Sequence, residues 1–423
     1  MNQVPLRGLF FLAAYAIIFP KVPAFGIGLG LDDILALLLF PCLMFHVLVN
    51  SGRKYVWEFW LVVLLFLAFI GIYFFLGSWK NYQRLGVVRY PTELWQYAKR
   101  LSFFLLGFFF VLNVERGESK AIKTVLWAYF LILMIGVLQL VAGSIGEFLA
   151  QLYGRSEHQV ERLVDRTFSA KRVFGTAGHP NAWGGFSLFV FSVVAPFFLD
   201  GRAFSRRTRL LLGILVGFAL INVLFSSSRA AILGLGMVSL SLSVWYLFTS
   251  RVREPTKALL ISASMLSVFI FFISFKERIF NLIFRFSVLF ETMGGGRDEQ
   301  IRAGLSVHHG MFDSLIGSSN YVQRVLGVSH GVEVEPVYLF INYGFLGVSF
   351  IFLIMASIFY CGMRLAFSGH YYAPIGLGVM LAIVGYSTFS LGYFFFQELV
   401  VGTPFWLYAG IFMACYQRSL SHR

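Results

Sequence analysis

Apolar runs close to the length of a bilayer recur along almost the whole chain, and they leave it little choice but a bundle of membrane helices. They occupy residues 9–19, 34–49, 59–76, 101–112, 124–141, 183–199, 210–225, 230–248, 258–275, 337–360, 373–391 and 404–416. Each span needs about 20 apolar residues, so the shortest runs must extend into polar flanks. The chain is 58% hydrophobic and only 13% charged, against roughly a quarter charged in soluble domains. A water-soluble core cannot hide so much apolar surface. The expected architecture is therefore an all-α integral membrane protein, a single polytopic domain over 1–423 with about twelve transmembrane helices on the usual length criterion.

Charge then sets orientation. The net charge of +14 would suggest nucleic acid in a soluble protein. Here the bases sit mainly in short loops between apolar runs, a pattern that serves topology or anionic lipid and excludes nucleic acid as the partner. Arg53 and Lys54, Arg116 with Lys120 and Lys123, the arginines at 202–209, then Arg251, Arg253 and Lys257 fall on one side, joined by Arg364, Arg418 and Arg423. The positive-inside rule makes that side cytoplasmic and places both termini there. The first run, flanked by Arg7 but lacking a small-residue cleavage site before Lys21 and Pro23, is expected to be a span rather than a removable signal. Left outside are Gly77 to Arg100, Ala142 to Pro180, the turn Ser226 to Arg229, and a large loop at 276–336 between the ninth and tenth spans. Cys42, Cys361 and Cys415 lie within apolar runs, as packing residues do, and imply no disulfide framework.

Four charged sites stand out on the outer face. In Lys171-Arg172-Val173-Phe174-Gly175-Thr176-Ala177-Gly178-His179-Pro180-Asn181, small residues allow close backbone approach to a ligand and Pro180 suits a first helical turn. Arg172 there meets either a ligand or lipid headgroups. Ser226-Ser227-Ser228-Arg229 is a turn too short to leave the membrane surface. Its serines cap backbone donors, whereas Arg229 opposes the helix dipole and calls for an anion, bound or structural. Gly294-Gly295-Gly296-Arg297-Asp298-Glu299-Gln300-Ile301-Arg302 is a flexible joint ahead of a short helix, in which Arg297 and Arg302 contact either a ligand or local acids such as Asp298. Last, Gly327-Val328-Ser329-His330-Gly331-Val332-Glu333-Val334-Glu335-Pro336 places His330, Glu333 and Glu335 just before a span. One of them can take a proton from a sugar hydroxyl, though carboxylates also cap first turns. Asp32 and Asp33 are expected to cap the second span, and His46 and Gln139 to make interhelical hydrogen bonds. His308 and His309 lack carboxylates at ligand spacing, so no metal site is expected.

Arginines on one face point to an anionic substrate met from outside, because the guanidinium fork binds phosphate oxygens bidentately and keeps its charge at low dielectric. A polyprenyl-pyrophosphate sugar donor carries its own leaving group, and fixed arginines can stabilise the charge that develops on it. No phosphate-binding Gly-Lys loop or strand-helix alternation is present, so a nucleotide-dependent reaction is not indicated and no cofactor is expected. Paired halves and midplane polar sites, the marks of transporters, are not evident, although a lipid-linked oligosaccharide transporter remains the competing class.

The order of these pieces resembles the family of O-antigen ligases and Wzy-type O-antigen and exopolysaccharide polymerases. The matching residues are Arg172, Gly175, Pro180 and Asn181 before a span, the Ser-Ser-Ser-Arg turn ending in Arg229, Gly296-Arg297 opening the long loop, Leu326-Gly327, and Glu333-Val334-Glu335 leading into Tyr343-Gly344-Phe345-Leu346-Gly347. The resemblance implies a helical fold related to the C-type glycosyltransferases, an undecaprenyl-pyrophosphate-linked glycan as donor, and metal-independent, inverting transfer in the bacterial inner membrane. A chain-length regulator is an implied partner. Ligases of the family carry a histidine near the end of the long loop, a place Glu333 looks to occupy here, with His330 recoverable by a shifted alignment. An acid there resembles the polymerases, which makes polymerase the first expectation and ligase the second. Arg172, Arg229 and Arg302, with Arg297 as a fourth, are then the pyrophosphate-binding residues, and Glu333, Glu335 or His330 the base.

Overall fold

A computed structural model describes residues 3–24, 27–49, 55–86, 94–154, 157–168, 172–200, 206–248, 301–302, 305–306, 310–317, 333–393 and 399–421. The helices are α1 (Gln3–Tyr15), α2 (Leu31–Val49), α3 (Trp57–Leu85), α4 (Leu94–Asn113), α5 (Gly117–Val141), α6 (Gly143–Tyr153), α7 (Glu157–Phe168), α8 (Pro180–Asp200), α9 (Arg206–Ser226), α10 (Arg229–Phe248), α11 (Met311–Ile316), α12 (Glu335–Phe367), α13 (Ala373–Phe389) and α14 (Leu399–Ser421). Antiparallel strands β1 (Val22–Ala24) and β2 (Ile27–Leu29) form a small ribbon that the apolar pattern does not announce.

Seven helices among the described residues are long and apolar enough to cross a membrane, so the chain is an α-helical membrane protein. The other expected spans diverge for separate reasons. Residues 258–275 lie outside the described set. The run at 9–19 becomes the short α1, and α13 has 17 residues. The run at 101–112 is the apolar part of α4, whose N-terminal turns carry Lys99 and Arg100. The segment assigned above as an external loop from Gly77 to Arg100 is therefore mostly the end of α3 and the start of α4, and 142–180 contains α6 and α7. A window that counts apolar residues stops at the first charge, whereas a helical backbone continues wherever its charges find partners.

Helix α8 is the central element. Its 18-residue core window is 89% buried, against 22–39% for the other six qualifying spans, whose remaining residues are half-buried or exposed. Helices α4 and α14 cross closely enough that a Cβ at Gly107 would strike the Leu407 carbonyl, and one at Gly410 the Phe104 carbonyl. Small residues permit such backbone approach between membrane helices, where van der Waals contact replaces a hydrophobic driving force. Phe59 of α3 stacks on Phe108 of α4 at 4.0 Å between ring centres.

The two ends of the bundle separate the charges. At one end Arg418 bonds Glu118 and the Val111 carbonyl, and Arg364 lies 3.7 Å from Glu58. The other end holds the starts of α2, α4, α8, α10 and α12 and the ends of α3, α5, α9 and α13, with Arg172, Arg229 and Glu335 among them. Of the expected large loop at 276–336, the described parts are 301–302, 305–306, 310–317 and 333–336, and α11 docks on α12. Helix α12 is broken at Gly344, whose φ of 61° and contact with the Leu315 backbone exclude a side chain.

Replacing Gly410 by Ala should lower the thermal midpoint of the detergent-solubilised protein, because overpacking of this kind costs about 1–3 kcal/mol. Gly217→Ala on α9, where a Cβ meets nothing within 4 Å, should leave it unchanged or raised; equal midpoints for the two variants would contradict the crossing.

Candidate functional site

The 172–181 segment is fixed by the carbonyls that α9 leaves without helical partners at its last turn. Val173 N–H donates to the Phe225 carbonyl at 2.9 Å, and Arg172 Nε donates to the Ser226 carbonyl at 3.0 Å. The same guanidinium reaches Asn181 Oδ1 at 3.2 Å, in the first turn of α8. Gln139, buried at the end of α5, accepts from the N–H groups of Phe174 (3.2 Å) and Gly175 (3.0 Å) and donates to Thr167 at 3.2 Å. It is the interhelical hydrogen-bonding residue expected of it. Gly175 has a φ of 49° and sits so close to the Trp183 ring that a Cβ has no room.

His179 precedes α8, and Pro180 starts the helix as expected. His179 Nδ1 accepts the Asn181 N–H at 3.3 Å and lies 3.2 Å from the Tyr393 hydroxyl, with the two rings stacked at 5.3 Å. An Nδ1 that accepts from a backbone N–H leaves the neutral ring its proton on Nε2.

The Ser226–Arg229 turn is tight and buried. Ser227 adopts a left-handed φ of 52°, Ser228 N–H donates to Ser226 Oγ at 3.2 Å, and Ala231 N–H donates to Ser228 Oγ at 3.4 Å. The serines thus cap the start of α10, and Arg229 is its half-buried first residue. Arg172 and Arg229, 57 positions apart in the chain, therefore flank one three-serine turn. A recess of about 420 Å³ opens beside Arg172, lined by Gln139, Leu140, Gly143, Thr167, Val173 and Phe225.

The acidic segment joins the same end through α13. Glu335 N–H donates to the Ser390 carbonyl at 3.0 Å, and Gly392 packs against Ala230 beside Arg229. The two acids have different environments. Glu335 is 1% exposed and lies within electrostatic reach of Arg100 and Tyr97 on α4, whereas Glu333 is half-buried. Arg302 is exposed, next to an Ile301 that packs on the main core. Arg297 and His330 lie outside the described residues, as does Asp298, the acid proposed as a local partner of Arg302.

A set of buried charges escaped the sequence reading. Lys99 Nζ contacts Asp32 at 2.6 Å and Asp33 at 2.8 Å. Asp33 also accepts the Gly30 N–H at 3.0 Å, so the expected capping is present beside a larger role. Lys80 of α3 pairs with Asp313 of α11, and Arg100 lies within electrostatic reach of Tyr97 and Glu335. The signal that could have exposed them is the Lys99-Arg100 pair, followed immediately by apolar residues. A pair so placed lies within a helical turn of the span. His46 meets the Phe109 ring edge-on at 4.8 Å. Among the described residues, no three His, Cys, Asp or Glu side chains cluster closely enough to hold a metal ion.

No protein-family model matches the chain, and a search of curated proteins finds no similar sequence.

Breaking a buried ion pair by removing one partner costs about 3–5 kcal/mol. Lys99→Met should accordingly lower the melting temperature in detergent, and adding Asp32→Asn and Asp33→Asn should recover much of the loss. An unchanged melting temperature for Lys99→Met would contradict the buried triad.

Proposed function

We propose that this protein is a membrane glycosyltransferase that polymerises undecaprenyl-pyrophosphate-linked repeat units of an O-antigen or exopolysaccharide at the periplasmic face of the bacterial inner membrane. The observation that carries the proposal is the docking of Arg172 on the Ser226 carbonyl, which sets two arginine-bearing segments around one buried turn beside a recess. At the opposite end, Arg418 and Arg364 are engaged with Glu118 and Glu58, as structural cations are. An arginine lining a cavity, with a second at the far end of the adjoining serine turn, suits a diphosphate, because each guanidinium offers a planar fork of donors.

In this reaction the acceptor hydroxyl oxygen bonds to the anomeric carbon of the donor sugar as the bond from that carbon to the pyrophosphate oxygen breaks. Undecaprenyl pyrophosphate leaves with the negative charge. Arg172 and Arg229 stabilise that charge, and the exposed Arg302 adds to the field from the long loop, with Arg297 beside it in sequence. The hydroxyl proton passes to a carboxylate. Glu333 suits this role because it is only half-buried, whereas the Glu335 carboxylate is buried within electrostatic reach of Arg100; His330 is the neighbouring candidate. The polyprenyl chain remains in the lipid.

Purified protein given a polyprenyl-pyrophosphate-linked repeat unit should form longer lipid-linked glycans. Arg172→Ala and Arg229→Ala should lower the rate about 10²-fold or more, as loss of a preorganised charge-stabilising donor does, with folding and insertion retained. Glu333→Gln should lower the rate without lowering the melting temperature, and Glu335→Gln should lower the melting temperature. Deletion in the host should leave core plus one repeat on electrophoresis of lipopolysaccharide, or a shortened secreted polysaccharide. Core alone, with lipid-linked polymer accumulating, would identify a ligase, and lipid-linked repeats translocated with no new glycosidic bond would identify a transporter.

A further inference from the structure

Helix α11, Met311–Ile316, is built inside out. Its one charged side chain, Asp313, is 3% exposed and paired with Lys80 of α3, and Ile316 is also buried. The apolar side chains Met311, Phe312 and Leu315 face away from the protein, with Met311 90% exposed. Positions 311, 312 and 315 fall on one side of a helix, because residues three and four apart are neighbours. In water this arrangement would leave an apolar patch uncovered while burying charge, the reverse of the usual order.

The surroundings name the occupant of that face. Phe312 meets Trp79 edge-on at 5.5 Å between ring centres, and the Lys80 ammonium lies 4.9 Å from the Phe312 ring centre. Trp79 is itself exposed and continues the outward face of α3 through Phe75, on a helix whose core window is only one-third buried. Tryptophan and tyrosine concentrate where a membrane span meets the headgroups, and Tyr82 extends this exposed face one further turn. The outward face of α11 is thus continuous with the lipid-facing surface of a span at its aromatic end.

We infer that α11 lies in the headgroup zone of the bilayer and anchors the chain ahead of α12 to the lipid, with the buried Lys80–Asp313 pair fixing its orientation. Helix α12 breaks at Gly344 against the backbone of Leu315, so the anchor also sets the height at which the start of α12 sits. This inference rests on the membrane character of the helices and not on the reaction proposed above.

The test places an environment-sensitive nitrobenzoxadiazole label at Met311→Cys in a Cys42→Ser background, since Cys361 and Cys415 are buried. The full-length protein is reconstituted in phosphatidylcholine vesicles with and without headgroup or shallow acyl-chain spin labels. A matched label at Glu161→Cys, on an exposed charged position of α7, serves as reference. The expected result is blue-shifted emission at 311, quenched several-fold more strongly by spin-labelled lipid than at 161 and protected from iodide. Water-like emission quenched by iodide would overturn the inference. So would apolar emission without lipid quenching, which would mean that protein covers the face.

Discussion

Charge buried at one end of an apolar bundle must be met by opposite charge or by backbone dipoles within the protein, because neither lipid nor distant water can solvate it. Lys99 between Asp32 and Asp33 and Lys80 against Asp313 meet that condition by joining segments far apart in sequence, and Arg100 lies within electrostatic reach of Glu335. Arg172 also bonds backbone and amide oxygens, the Ser226 carbonyl and the Asn181 side chain. That end of the molecule is organised by these pairings, while the remainder of each helix needs only apolar contact and small residues at close crossings.

A division of labour follows. Cations whose partners are carboxylates at short range, such as Lys99, Lys80 and Arg418, are neutralised by the fold and hold helices together. Arg172 is oriented by neutral oxygens, the Ser226 carbonyl and Asn181 Oδ1. Hydrogen bonds to a carbonyl and an amide orient a guanidinium and leave its formal charge in place. The two acids at the approach to α12 also differ, with Glu335 buried near α4 and Glu333 half-buried. Residue type alone made the two equivalent; their environments do not.

Much of the helical architecture is legible in the apolar runs, since uniform hydrophobicity over a bilayer's length has one structural solution. The turn at 226–229 was readable from three serines between two such runs, and the start of α8 from Pro180. Hidden from the pattern were the polar ends of α3 and α4, because the partners of Lys80 and Lys99 lie 233 and 67 positions away, and Glu335, within electrostatic reach of Arg100, lies 235 away. The break at Gly344 was hidden for the same reason, as its cause is the distant backbone of Leu315. His179 passed unnoticed within a motif singled out for its arginine, and its link to Tyr393 needs the α13 turn to be placed.

The central claim is that the arginines beside the three-serine turn receive a diphosphate, and lipid retention in native mass spectrometry tests it most directly. The purified protein should retain undecaprenyl pyrophosphate at collision energies that strip the neutral polyprenol. That preference should vanish in the Arg172→Ala, Arg229→Ala double variant. Equal retention of the charged and neutral lipids, or a double variant that still discriminates between them, would contradict the account.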